Sequence, residues 1–180
     1  MKATIITGSP HKNGTSAMLA DSFIRGLEEA GHDVFRYDAA FGKVGGCLGC
    51  DHCRKTGEPC VRHDDMEKLV AHLLESDAVA FVTPVYYFGM SSQLKAVLDR
   101  FYAPEDRLRG KKKAVLLASA ASSERSVAKN LVGLYRDVVD WMQWENSGEV
   151  LALGCGARKD IEKSDYPEEA HLLGKRLFQQ

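Results

Sequence analysis

Apolar and polar positions along this chain fall into two alternating patterns. Short runs rich in Val, Ile, Leu and Ala are followed by stretches in which apolar residues recur every three or four positions. The short runs predict strands at 2–7, 33–38, 78–83, 113–119 and 149–154. The helical stripes comprise Ala20, Phe23, Ile24 and Leu27; Met66, Leu69, Val70 and Leu73; and Leu94, Val97, Leu98 and Phe101. A fourth carries Val127, Leu131, Leu134, Val138 and Met142, and a fifth, after Pro167, carries Ala170, Leu173 and Leu177. Five βα units in this order predict an α/β domain, a doubly wound parallel sheet with helices on both faces. Ligands of such a sheet bind outside the carboxyl ends of its strands, where the strand order reverses. The pattern runs through residues 1–180 as one domain, without repeats or a low-complexity tract. The helix that carries Tyr135, leading to Trp141, Met142 and Trp144, is more aromatic than covering a sheet requires. Core packing is the expectation there, and a dimer surface the alternative.

Composition narrows the partners. At 180 residues with 44% hydrophobic and 27% charged positions, the chain can bury a proper core. Lys plus Arg (24) nearly equal Asp plus Glu (25), which leaves no electrostatic footprint for nucleic acid or an anionic membrane. The apolar run near Met1 is short for a signal segment, and no later run approaches the ~18 residues that span a bilayer. The expectation is a cytoplasmic protein.

Two loops follow strands at the expected ligand rim. After the first strand come Gly8, Ser9, Pro10, His11, Lys12, Asn13, Gly14, Thr15 and Ser16, with a helix starting near Thr15. Glycines, hydroxyls, an amide and a helix N-terminus together suit a phosphate. The loop lacks the Gly-Lys-Ser/Thr ending of a triphosphate site, the Gly-x-Gly-x-x-Gly dinucleotide fingerprint, and a phosphatase cysteine. A monoester phosphate remains; ordinary turn and capping chemistry is the alternative. After the third strand, Pro84, Val85, Tyr86, Tyr87, Phe88 and Gly89 could line a flat aromatic ligand, or else the three aromatics cover a helix end or form a dimer contact.

These two loops, with Thr83, the stretch Met90-Ser91-Ser92-Gln93-Leu94-Lys95 and Asp99-Arg100-Phe101, resemble the NADPH-dependent FMN reductase family over nearly the whole chain. The resemblance implies a flavodoxin-like fold with strand order 2-1-3-4-5 and FMN as cofactor, with NAD(P)H as co-substrate. It implies Ser9, His11, Asn13, Gly14, Thr15 and Ser16 at the phosphate, and residues 84–89 at the flavin ring. Ser119, Ala120 and Ala121 would approach the ring from a third loop. His11 stands where many relatives have Arg, which weakens charge compensation at the phosphate. No side-chain acid or base is obligatory for hydride transfer, so no catalytic residue is named.

Between the second strand and second helix lies a polar loop, 41–63, holding Cys47, Cys50, Cys53 and Cys60. Loops of this length are often functional. The compact spacing suits three thiolates around one inorganic cluster with a fourth from nearby. Zinc and metal-free thiols are the alternatives. The array resembles that of iron-sulfur flavoproteins, which implies that these four cysteines ligate a [4Fe-4S] cluster. Cys155, alone downstream, is expected to be a buried thiol.

The expected function is an FMN-dependent NAD(P)H oxidoreductase acting on a quinone, flavin or other acceptor. The alternatives are an electron carrier serving a protein partner and a non-redox metal-binding domain. Carriers often show an acidic docking face, so the balanced charge favours the enzyme. The resemblance implies a homodimer or tetramer.

Overall fold

The computed structural model describes residues 1–179; Gln180, the last residue of the expected domain, lies outside them. In chain order the strands are β1 Lys2–Thr7, β2 Asp33–Asp38, β3 Ala78–Pro84, β4 Lys113–Ser119 and β5 Glu145–Ala152. The helices are α1 Thr15–Glu29, α2 His52–Thr56, α3 Met66–Glu75, α4 Ser92–Asp99, α5 Glu105–Leu108, α6 Lys129–Trp141, α7 Arg158–Ile161 and α8 Tyr166–Arg176. The sheet is parallel throughout, in the order β2-β1-β3-β4-β5. This is the flavodoxin-like order, and it reverses direction between β1 and β3.

Strand burial follows position in the sheet. β3 is buried along its whole length and β1 and β4 over all but their first residue, whereas the edge strand β2 is half-buried. That is why the central strands read as continuous apolar runs and the edges do not. One face packs Ile5, Val82 and Val115 under α1, α7 and α8. The other packs Ile6, Phe81 and Leu116 under α3, α4 and α6. α3 and α4 are too short to persist alone in water. They are held by Leu69, Leu73, Leu94 and Val97, all fully buried, at roughly 1.5–3 kcal/mol each. α1 and α8 approach closely because Gly26 and Gly174 face the other helix's backbone, where a Cβ would overlap the His171 and Phe23 carbonyls.

Three expectations shift. β5 begins four residues earlier than the apolar pattern indicated, because polar Glu145 and Asn146 pair with Lys113 and Ala114 at the exposed edge before a bulge restores register at Val115 and Gly148. It ends at Ala152, where Gly154 takes a left-handed turn (φ 72°). The buried stripe of α6 is Leu131, Tyr135 and Val139, with Leu134 partly exposed. Tyr135, Met142 and Trp144 are core residues as expected, whereas Trp141 is 60% exposed. The long loop contains a helix, α2, that its polar sequence did not announce. Among the described residues no helix is long and apolar enough to cross a membrane.

Candidate functional site

The loops after β1, β3 and β4 meet at one rim because their strands are neighbours. Gly8 N donates to Val82 O at 2.8 Å, and its carbonyl accepts from Ser91 Oγ at 2.7 Å. Ser91 is fully buried; it also caps α4 by accepting from Leu94 N and donates its own amide to Thr83 Oγ1. A Cβ on Gly8 would overlap Ser91 Oγ and stand 2.7 Å from Leu94 Cβ. Only glycine lets the first loop lie this close to α4.

Ser119, the last residue of β4, is the joint of the rim. Its hydroxyl accepts from Thr15 Oγ1 and bonds Ser16 Oγ, each at 2.9 Å, while its carbonyl accepts from Val85 N at 2.7 Å. One residue thus ties the phosphate loop to the aromatic loop. α1 opens at Gly14 with no side-chain cap and no acidic residue in its first turn. Its first helical bond runs from Met18 N to Gly14 O, which leaves the amides of Thr15, Ser16 and Ala17 without carbonyl partners among the described residues. Free amides, hydroxyls and a helix dipole in one place favour a dianion. Ser9 Oγ receives His11 N at 3.2 Å, and His11 O receives Gly14 N at 3.2 Å, so the loop holds its own curvature. His11, Lys12 and Asn13 are exposed, and the Lys12 ammonium sits 4.9 Å from the Phe41 ring centroid.

The aromatic loop is a tight reversal. Tyr86 and Gly89 exchange backbone hydrogen bonds at 3.0 Å, and Tyr87 (φ 45°) and Phe88 (φ 66°) both take left-handed conformations between them. Two bulky residues in that region are strained, a feature that concentrates at functional sites. Tyr87 is wholly exposed, and Tyr86 and Phe88 are about half exposed. The three rings are therefore presented to solvent, which removes the reading in which they cover a helix end and leaves the dimer contact open. Ala120, by contrast, is buried and continues the sheet through Ala152 O, and Ala121 lies exposed beside Gly156.

The cysteine loop forms a second centre, built differently. Cys47, Cys50, Cys53 and Cys60 all line one hollow, which Arg100 and Tyr102 also line. Among the described residues no three His, Cys, Asp or Glu side chains stand together as a metal-holding group. The thiols share the hollow without being drawn onto one point. Four thiols in one place suit an iron-sulfur cluster in kind and number, and a metal-free loop need not hold the loaded geometry. The loop is anchored at its ends: Lys43 N and Gly45 N donate to Asp65 and Asp64, and Arg100 clasps Asp64 through Nη1 and Nη2 at 2.8 and 3.2 Å. Arg54 bridges to Glu105 and Asp106, and Tyr102 donates to Asp51. Burial of Arg100 works against its charge, but the Asp64 carboxylate and then Cys60 outweigh it and hold its pKa above the usual arginine value. Cys155 is buried as expected, and burial pushes its thiol up.

Three residues that sequence reasoning left without a role join these sites. Ser91 couples the first two loops. Arg100 lines the cysteine hollow. Arg158, at the start of α7, donates from Nη1 to the Asn13 carbonyl at 3.3 Å and so brings a guanidinium to the phosphate loop. Its place in the loop after β5 was the available signal, since every such loop reaches the same rim.

The family model for NADPH-dependent FMN reductase matches residues 1–154. The chain belongs to the NADPH-dependent FMN reductase family. Among curated relatives, an iron-sulfur flavoprotein of Archaeoglobus fulgidus is 39% identical over 113 residues, covering 62% of this chain and 51% of that protein. An FMN-dependent NADH:quinone oxidoreductase of Bordetella petrii is 29% identical over 156 residues, covering 78% and 74%. The chain spans about half the length of the first of these relatives. Among solved structures, the NAD(P)H:quinone oxidoreductase from Methanothermobacter marburgensis superposes with a TM-score of 0.79 at 20% identity, over 100% of this chain and 97% of that one. At that identity the likeness supports the fold of this family member and no more.

Proposed function

We propose that this member of the reductase family binds FMN at the rim joined by Ser119 and oxidises NAD(P)H, passing electrons to a quinone, flavin or other acceptor. The observation that carries the reading is the Ser119 junction, which sets a dianion cradle and an exposed aromatic loop side by side at the switch point. Ser9, Thr15, Ser16 and the first amides of α1 hold the phosphate, with His11, Asn13 and Gly14 shaping the turn. Val85, Tyr86, Tyr87, Phe88 and Gly89, with Pro84 fixing the exit from β3, border the ring, and Ala120 and Ala121 leave room beside it. FMN, when bound, supplies hydride acceptance and one-electron release, and a [4Fe-4S] cluster on Cys47, Cys50, Cys53 and Cys60 supplies one-electron storage. The protein's part is to fix the ring's position, satisfy its polar edge and exclude water from one side. The exposed Tyr87 suits closure by a second copy, in a homodimer or tetramer.

A second reading, a two-cofactor carrier serving a protein partner, is favoured by the four thiols around one hollow. Anaerobic purification with flavin, iron and sulfide measured on the same sample tests both. The proposal expects one FMN per chain and NAD(P)H oxidation with small acceptors. Flavin present with turnover only from a protein reductant would replace the enzyme by the carrier. Protein that takes up no FMN when it is supplied would overturn both readings.

A further inference from the structure

We infer that Arg100 is a positioning residue for the cysteine hollow, its Nε–H donating to the sulfur of Cys60 and thereby raising the reduction potential of the cluster bound there. The inference rests on the cluster reading above. Arg100 is 2% exposed, and its two terminal nitrogens are committed: Nη1 to Asp64 and to Gly45 O at 2.9 Å, Nη2 to Asp64 and, at 3.4 Å, to Arg62 O. Nε is buried and has no partner among the described residues. A buried, unpaired N–H is costly, and native structures satisfy nearly all such donors. The surface that Arg100 presents lines the same hollow as Cys60 and the other three cysteines. Of the four cysteines, Cys60 alone also shares a second, neighbouring hollow with Arg100, which makes its sulfur the acceptor we assign to the orphan donor.

The consequence for redox chemistry has a definite sign. One-electron reduction, with the electron supplied by the reduced flavin, adds one negative charge to the cluster and its thiolates. A fixed donor beside one sulfur stabilises the more negative state, so reduction becomes easier. Asp64 gives this arrangement its rigidity, because two bonds to one carboxylate fix the guanidinium plane and with it the direction of Nε–H.

The test compares wild type with Arg100→Lys, which keeps a cation for Asp64 but has no Nε–H. Both are reconstituted anaerobically with iron and sulfide, and the cluster is titrated against a redox poise. At equal iron content, the variant's reduced-to-oxidised ratio at fixed poise should fall about tenfold, a downward shift of about 59 mV for a one-electron couple. Equal loading with an unshifted potential overturns the inference while leaving the cluster reading intact. Wild type is also grown with arginine carrying nitrogen-15 at Nε, and the reduced cluster is examined by pulsed electron paramagnetic resonance. A nitrogen-15 coupling is expected. Its absence overturns the inference even if the variant fails to load. Wild type that binds FMN but retains no iron after reconstitution would remove the cluster reading, and this role for Arg100 with it.

Discussion

The loops after β1 and β2 leave adjacent strands, yet they are held in opposite ways. The first is short and bound along its length: Gly8 to β3 and Ser91, Ser9 and His11 to each other, Thr15 and Ser16 to Ser119. The second is long and pinned at its stem by Asp64, Asp65 and Arg100. Between Gly46 and Gly57 its backbone bonds to backbone only within the turn of α2. A cradle of amides and hydroxyls on a sheet edge keeps its shape without ligand. Beyond its stem the second loop is held only through side chains, Arg54 to Glu105 and Asp106 and Asp51 to Tyr102, so its thiols take their final spacing from what binds them and their order is linked to loading.

If the two regions are independent, they can be emptied separately. Cys50→Ser with Cys53→Ser should abolish iron binding entirely while FMN stays at full stoichiometry, as measured by iron and flavin content per chain. Removing metal from the wild type by chelation should lower the melting temperature, because a group held only by the folded chain adds its binding free energy to stability. Limited proteolysis should then gain cuts between 46 and 59. Loss of flavin in the double variant would show that the second loop props up the first.

The next largest effect is at the stem. Asp64→Asn leaves the Arg100 guanidinium buried without its counter-charge, and breaking such a pair costs about 3–5 kcal/mol. Burial alone would raise the Asp64 carboxyl's pKa, but Arg100 and the amides of Gly45 and Met66 hold it below the ordinary carboxylate value. A depressed carboxylate stabilises the fold fully above its unfolded pKa of about 3.9. That stability drains away as pH falls through the lower, folded value. Urea unfolding at pH 7 should show the whole difference between variant and wild type, and the difference should shrink progressively as pH falls below the unfolded value. A gap that does not change with pH would mean that the carboxylate charge is not what holds the stem.

The two regions also differed in how far they could be read from sequence. The first loop was legible because its residue types carry their own instruction: glycines beside a helix start, hydroxyls that accept or donate, and strand order that places the loop at the rim. That Thr15 and Ser16 bond Ser119 was not legible, since the sequence placed Ser119 beside the ring and not with the phosphate loop. The cysteine positions were equally plain, but their surroundings were not. Arg100 lies far along the chain, on a segment whose apolar stripe marks it as covering helix, and nothing local reveals that its guanidinium turns toward Asp64. α2 was hidden because its sequence, His-Cys-Arg-Lys-Thr, has no apolar face; it is bounded by left-handed Asp51 and Gly57. The start of β5 was missed because edge strands tolerate polar residues.

Within the first loop, the hydroxyls should matter more than the peripheral charge. Ser16 is buried, and a hydrogen bond from such a donor to a charged phosphate contributes about 1.5–3 kcal/mol. Ser16→Ala should therefore weaken FMN binding roughly 10- to 150-fold. Riboflavin, which has no phosphate, should be affected little, and fluorescence quenching on titration with each flavin reads both numbers. Equal weakening of the two flavins would place Ser16 in the support of the ring and not at the phosphate.

The smallest effect belongs to Arg158. Its side chain is 42% exposed, and its Nε is already paired with Glu162 at 2.8 Å, so solvent and a neighbouring carboxylate both dilute its charge. An exposed ion pair is typically worth about 0.2–1 kcal/mol. Arg158→Gln should weaken FMN binding only about two- to fivefold, leave riboflavin unchanged, and lose its effect as salt rises above about 0.15 M. Its contact with the Asn13 carbonyl is also weak, at 3.3 Å, so the loop should keep its shape without it. A loss well beyond tenfold that persists at high salt would mean that Arg158 swings in and is desolvated against the phosphate. The first loop would then resemble the second more than its hydrogen bonds indicate, completing itself only when its ligand arrives.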